Sequence, residues 1–285
     1  ISRPGMESTE LRLREAHLAG CLALSRSAHW NQNEADWRLM LGFGRGWGLA
    51  INDGTLAAST LVLPYNGFAW VAMVLVHPEY RKKGFATRLL RTALADLDKT
   101  GQAAILDATP AGHDVYALEG FIDCWRFKRF ALTMPATVFL PGENIRPIEE
   151  ADWPRILELD AKAFGANRET VLRNLAQRLP QAALVAERGG RIGGFLFGRD
   201  GREARQLGPL VARDERIACD LLGTALQRVE PTVYLDLVDR KETLGKWLGE
   251  RGFAVQRPFT RMARGLREVP GESSLVCCPA GPELG

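Results

Sequence analysis

Two hydrophobic rhythms alternate along this chain. TELRLR from Thr9 alternates like a half-buried strand, residues 15–27 carry helical spacing, and ADWRLML from Ala35 extends a second helix. Asn31, with Glu34 three residues later, predicts the capping box of that helix. LAIN at 49–52 and TLAASTLVL from Thr55 flank Asp53-Gly54, a dipeptide suited to a tight hairpin turn. The apolar run from Phe68 to Val76 predicts a buried strand that stops at His77-Pro78, because proline cannot continue a central ladder. From Gly84 onward Ala86, Leu89, Leu90, Ala93, Leu94 and Leu97 mark one face of a helix closed by Gly101. AAILDA at 103–108 is a strand, a short helix covers 114–118, and FIDCWRFKRFAL from Phe121 is again β-like.

The same programme then runs a second time. IRPIEEADWPRILELDAKAF and ETVLRNLAQRL supply helices, a hairpin turns at Gly189-Gly190, and ARQLGPLVA, ERIACDLLGTALQRV and VYLDLV read strand, helix, strand. AILDA matches VYLDL, and LEGFIDCWRFKRF matches GERGFAVQRPFTR. A tandem duplication follows, jointed near MPATVFLPGENIRP: residues 1–138, residues 139–268, and a loose tail over 269–285 that has glycines and prolines but no periodicity. GFGRGWG at 42–48 neither follows a strand nor opens a helix, so it reads as a connecting turn rather than a nucleotide loop.

Composition narrows the class. A hydrophobic fraction of 46% and a charged fraction of 25% over 285 residues describe a globular chain long enough for two cores. A net charge of +3 gives no basic stripe for nucleic acid, and no apolar run is long enough for a bilayer. The five cysteines, an odd number without regular spacing, read as reduced thiols, which suits the cytoplasm. A monomer or homodimer is expected. Met6 makes a plausible natural start, which would leave Ile1–Gly5 outside the natural chain.

The chemistry concentrates in VLVHPEYRKKGFATRLL, residues 74–90. Arg81, Lys82, Lys83 and Gly84 lie between a strand end and a helix start, where unpaired NH groups and the positive helix end face one space. That arrangement suits a phosphate or pyrophosphate. Signatures for phosphoryl transfer, zinc hydrolysis and triad hydrolysis are missing from the sequence, and the four histidines lack ligand spacing, so no metal site is expected.

Arg81 to Ala86 resembles the R/Q-x-x-G-x-G/A loop of the GNAT superfamily of N-acetyltransferases, and VYALEGF at 115–121 resembles its Y-x-x-x-G-F segment. The resemblance implies an α/β fold of two tandem GNAT-like domains, each a mixed, mostly antiparallel sheet flanked by helices, with acetyl-CoA as donor. It implies that Val74, Leu75 and Val76 pair with the pantetheine arm, that Arg81, Lys82, Lys83, Gly84, Phe85, Ala86 and Thr87 hold the pyrophosphate, and that Tyr116 protonates the departing thiolate. The second copy departs from the pattern, with Asp214 and Glu215 at the loop position and Leu248 at the tyrosine position, so it reads as degenerate.

Trp30, Asn31 and Gln32 border the expected acceptor cleft, and Arg168, Arg257 and Arg261 are candidates for an acceptor carboxylate. The strand FAWVAMVLV holds no carboxylate, leaving the base to a water relay or a second-half residue such as Asp160. The expected acceptor is a small-molecule amine. A noncatalytic acyl-CoA sensor and a protein-lysine acetyltransferase are the competing readings.

Overall fold

The computed structural model describes residues 7–285, so the question of Met6 and the residues before it lies outside the described residues. The first half runs β1 (Ser8–Leu13), α1 (Leu18–Ser27), α2 (Glu34–Phe43), β2 (Arg45–Ile51), β3 (Leu56–Pro64), β4 (Phe68–Val76), α3 (Phe85–Asp98), β5 (Ala103–Ala108), α4 (Pro110–Leu118) and β6 (Ile122–Leu132). The second runs β7 (Ile145–Pro147), α5 (Trp153–Phe164), α6 (Glu169–Arg178), β8 (Leu184–Arg188), β9 (Arg191–Arg199), β10 (Arg205–Ala212), α7 (Glu215–Leu226), β11 (Val233–Val238), α8 (Glu242–Gly249) and β12 (Ala254–Arg264), followed by β13 (Val276–Cys278).

All strands join one mixed sheet, mostly antiparallel, in the order β1-β2-β3-β4-β5-β12-β6-β11-β10-β9-β8-β7. This order reads the same from either end once each first-half strand is matched to its second-half counterpart. The halves exchange their last strands: β12 pairs with β5, β6 pairs with β11, and the two exchanged strands pair with each other. Two matched ion pairs bolt the exchange. Arg129 on β6 forks onto Asp236 of β11, and Arg261 on β12 forks onto Asp107 of β5, every contact at 2.8 Å. Phe127 and Phe259 stack between them at 4.9 Å. The repeated sequences noted above are thus the strands that meet at the centre.

Helix α3 packs its apolar face on β2–β5 with Leu89, Leu90, Ala93, Leu94 and Leu97. The opposite face carries α1 and α2, whose core runs on without a break into that of α5 and α6. A third cluster lies under α7 and α8.

Three expectations change. The stretch 42–48 is no simple turn, because β2 begins at Arg45; a Cβ on Gly46 would sit 2.5 Å from a Leu61 methyl, so glycine there serves close packing. Asn33, not Asn31, caps α2: it accepts from the Asp36 NH, and Asp36 accepts from the Asn33 NH at 2.9 Å. Asn31 is instead buried and pinned to the Glu203 and Ala204 NH groups and the Ala204 carbonyl. The third change concerns the predicted loose tail. Leu275 to Ala280 and Glu283 to Leu284 are buried, and the segment threads between the halves, because it fills a slot that the second half leaves open. No described helix is long and apolar enough to cross a membrane.

Candidate functional site

Strand β4 pairs in parallel with β5 only from Phe68 to Trp70, then the two diverge. At the divergence Met73 takes φ +51°, the β3 pairing shifts register, and Ser59 Oγ donates to the Met73 carbonyl at 2.8 Å. From Val71 the edge of β4 that faces β5 is therefore unpaired, and Val71–Val74 wall a pocket. Such a bared edge offers backbone donors and acceptors to an extended ligand.

The edge leads straight to the basic loop. Lys82 at φ +60° and Gly84 at φ +77° turn the chain, and α3 starts at Phe85 with no side chain capping it. Arg88 is the first residue whose NH reaches back to the Gly84 carbonyl. The NH groups before it form a nest at the positive helix end. A Cβ on Gly84 would project into open space where an anion would approach, and an L-residue would be strained at that φ. Arg81 Nε bonds the Val76 carbonyl at 3.4 Å, while Lys83 lies over the Tyr80 ring at 5.1 Å. The loop, its glycine and the bared strand fit the pyrophosphate and pantetheine of an acyl-CoA.

Opposite β4, α4 carries Tyr116 into the same pocket. Its ring meets Phe121 edge-on, and desolvation holds its phenol proton well above the usual range. Gly112, one turn earlier, makes room: a Cβ there would lie 2.8 Å from the tyrosine ring. Trp30 and Gln32 also line the pocket, and Gln32 Oε1 is buried with no hydrogen-bond partner among the described residues. Asn31 is turned away by its bonds to residues 203–204.

The three candidate arginines separate cleanly. Arg168 forks onto Asp160 and bonds Gly285, and Arg261 is held by Asp107, so both are engaged; Asp160 is spent in the same pair. Arg257 lines the Tyr116 pocket, its Nε is buried with no hydrogen-bond partner among the described residues, and burial together with Arg129 lowers its pKa. His113 pairs with Asp123 at 2.7 Å, which raises its pKa, and neither it nor His77 lines this pocket. Among the described residues, no cluster of His, Cys, Asp or Glu suits a metal ion.

Sequence reasoning missed Glu283, which also lines the pocket. The one sign was the apolar run LVCC at 275–278 within the presumed tail.

The equivalent slot in the second half is closed. Strand β10 pairs in parallel with β11 over Arg205–Leu207, shifts register before Leu210, and would then bare its edge as β4 does. Strand β13 lies there instead, with Cys278 against Leu210 and Val276 against Val211. At the helix start Asp214 accepts from the Ile217 NH at 2.8 Å, and Glu215 accepts from the Leu244 NH.

Comparison with known proteins agrees with this geometry. Residues 13–121 match the Acetyltransferase (GNAT) family, and residues 156–276 match an Acetyltransferase (GNAT) domain. An uncharacterized N-acetyltransferase, YitH, of Bacillus subtilis is 22% identical over 246 residues, covering 85% of this chain and 86% of the relative. A holothin acyltransferase of Pseudoalteromonas is 25% identical over 237 residues, covering 82% and 79%. The crystal structure of a putative acetyltransferase from Pyrococcus horikoshii shares the fold with a TM-score of 0.81 and 19% identity, covering 100% of this chain and 98% of that one.

Proposed function

We propose that this chain, which belongs to the GNAT acetyltransferases through two tandem domains, moves the acetyl group of acetyl-CoA to the primary amine of a small molecule. One observation carries the reading: a single pocket joins the bared β4 edge, at the end of which the Gly84 nest opens, to Tyr116. In this reading Val74 to Val76 pair with the pantetheine arm, and the NH groups from Lys82 to Thr87 hold the pyrophosphate, with Arg81 and Lys83 adding charge. Backbone NH groups at the Met73 bulge stabilise the oxyanion that forms when the amine attacks. Tyr116 donates its proton to the departing sulfur.

A small acceptor is supported by the walls. Trp30, Gln32, Arg257 and Pro282 confine the space beside Tyr116 and leave little room for a protein chain. Arg257 gives an anionic group on the acceptor a place to bind, and Trp30 and Gln32 offer a flat face and an amide. The units of the duplication are residues up to 138 and residues 139–268, and the free cysteines suit a cytoplasmic setting.

The test is release of free CoA thiol from acetyl-CoA across a panel of primary amines, with each amine offered with and without a carboxylate. Thiol release that requires an amine, and is faster with the carboxylate, supports the reading. Release that ignores the amine contradicts it.

A further inference from the structure

The site described so far contains a donor cradle and an acid but nothing that takes the amine's proton, and β4 supplies no carboxylate. The carboxylates around the pocket are nearly all committed. Both oxygens of Asp107 face Arg261, those of Asp236 face Arg129 and Gln206, and those of Asp36 face Arg178 and Arg199. Glu283 differs. Its Oε1 is bonded by the buried Arg199, while Oε2 is buried, lacks any hydrogen-bond partner among the described residues, and belongs to a side chain lining the Tyr116 pocket.

The segment that carries it is built into the molecule. It is anchored by β13 on the edge of β10 and then folds into a turn in which Leu284 and Gly285 NH groups bond the Gly281 carbonyl at 3.1 and 3.0 Å. First-half side chains clasp that turn: Trp70 Nε1 donates to the Pro282 carbonyl at 2.9 Å and Tyr65 donates to the Leu284 carbonyl at 3.2 Å. Arg168 holds the Gly285 carbonyl from the second half. Glu283 lies outside both matched family regions.

We propose that Glu283 Oε2 is the proton acceptor for the attacking amine, delivered to the first half's site by a segment moored in the second half's disused donor slot. The inference rests on the acetyl-transfer reading above. An acceptor arriving as R–NH3+ gives one proton to Glu283, and the freed nitrogen pair forms the C–N bond to the thioester carbon. The tetrahedral adduct collapses, the C–S pair leaves on sulfur, and sulfur takes the Tyr116 proton. The second amine proton returns to Tyr116, and Glu283 sheds its own to solvent. The products are the amide, CoA thiol and one proton.

Burial raises the Glu283 pKa, as does Asp36, while Arg199 and Arg129 oppose them, so its carboxylate is a stronger base than an exposed one. Arg257, Tyr116, Arg129 and Asp107 line the same pocket, Asp107 paired with Arg261 and Arg129 with Asp236.

The test compares native protein, Glu283→Gln and Glu283→Asp with two acceptors: ethanolamine, an ammonium at neutral pH, and hydroxylamine, which is neutral there. Glutamine keeps an oxygen for Arg199, so the network around Asp36 is preserved. The expected result is that Glu283→Gln loses ethanolamine acetylation by about 10²-fold or more, loses far less with hydroxylamine, and binds acetyl-CoA unchanged. Glu283→Asp should fall between and keep the acidic limb of the native pH profile, which Glu283→Gln lacks. Equal losses with both acceptors, or no loss with either, would overturn the proposal, as would a native enzyme that acetylates hydroxylamine but not ethanolamine. Native protein that fails to bind acetyl-CoA would instead sink the acetyl-transfer reading itself.

Discussion

The two halves share a topology, yet at matching positions one presents open backbone and the other has covered it. At the start of α3 the N-cap is a left-handed glycine with no side chain to cap the helix, whereas at the start of α7 Asp214 and Glu215 already accept from NH groups of the chain. Beside α3 the edge of β4 is bare, whereas beside α7 the edge of β10 holds β13. In the proposed reading the second half has no donor site, on grounds of both charge and occupancy, and the strand that occupies its slot moors Glu283.

The largest expected effect bears on the chemistry proposed for the first half. Tyr116→Phe should lower kcat by roughly 10²–10⁴-fold with acetyl-CoA affinity unchanged, measured by thiol release and calorimetry. Leu248→Tyr, at the matching place on α8, should create no second activity, since Leu248 is fully buried in its own core.

Gly84→Glu comes next. Losing two charge-assisted hydrogen bonds at about 1.5–3 kcal/mol each weakens acetyl-CoA binding by about 10²-fold or more, read by calorimetry. The mirror experiment, Asp214→Ala, removes a helix cap at a cost of about 1 kcal/mol in chemical denaturation and should open no new acetyl-CoA site.

Acid sharpens the contrast between a half that binds and a half that braces. Arg146 chiefly, with the Glu149 NH and Arg155, holds the second-half Asp152 down at about 2 from an ordinary 3.8. Because its folded pKa is depressed, the stabilisation of about 2 kcal/mol is complete well above the unfolded value and is lost as pH falls through the folded one. Native protein should therefore destabilise more steeply than Asp152→Asn over that interval in pH-dependent melting.

The smallest effect should come from Gly112→Ala. Its methyl would press the Tyr116 ring off its place, so kcat should fall a few-fold while stability barely changes. Steady-state kinetics beside a melting curve check it.

What was legible in the sequence was local. The basic loop needs only a strand end, a glycine and a helix start in succession, and the spacing from Tyr116 to Phe121 brings Tyr116 to the pocket wall from one short helix. The Asn31 capping box failed because Asn33-Asp36 offers the same spacing, and the choice was made by a turn 173 residues away that claims Asn31. The exchange of last strands was out of reach for a similar reason. Swapped and unswapped pairings satisfy the same alternation on β6 and β12, and because Arg129 matches Arg261 and Asp107 matches Asp236 in the repeat, either pairing sets an arginine beside an aspartate. The final segment has no periodicity because its burial comes from surfaces elsewhere in the chain, not from a face of its own.

Calorimetric titration of the intact protein with acetyl-CoA tests the central claim most directly, because it counts donor sites. The account predicts one site per chain, abolished by Gly84→Glu. Two sites, or binding that survives Gly84→Glu, would contradict it.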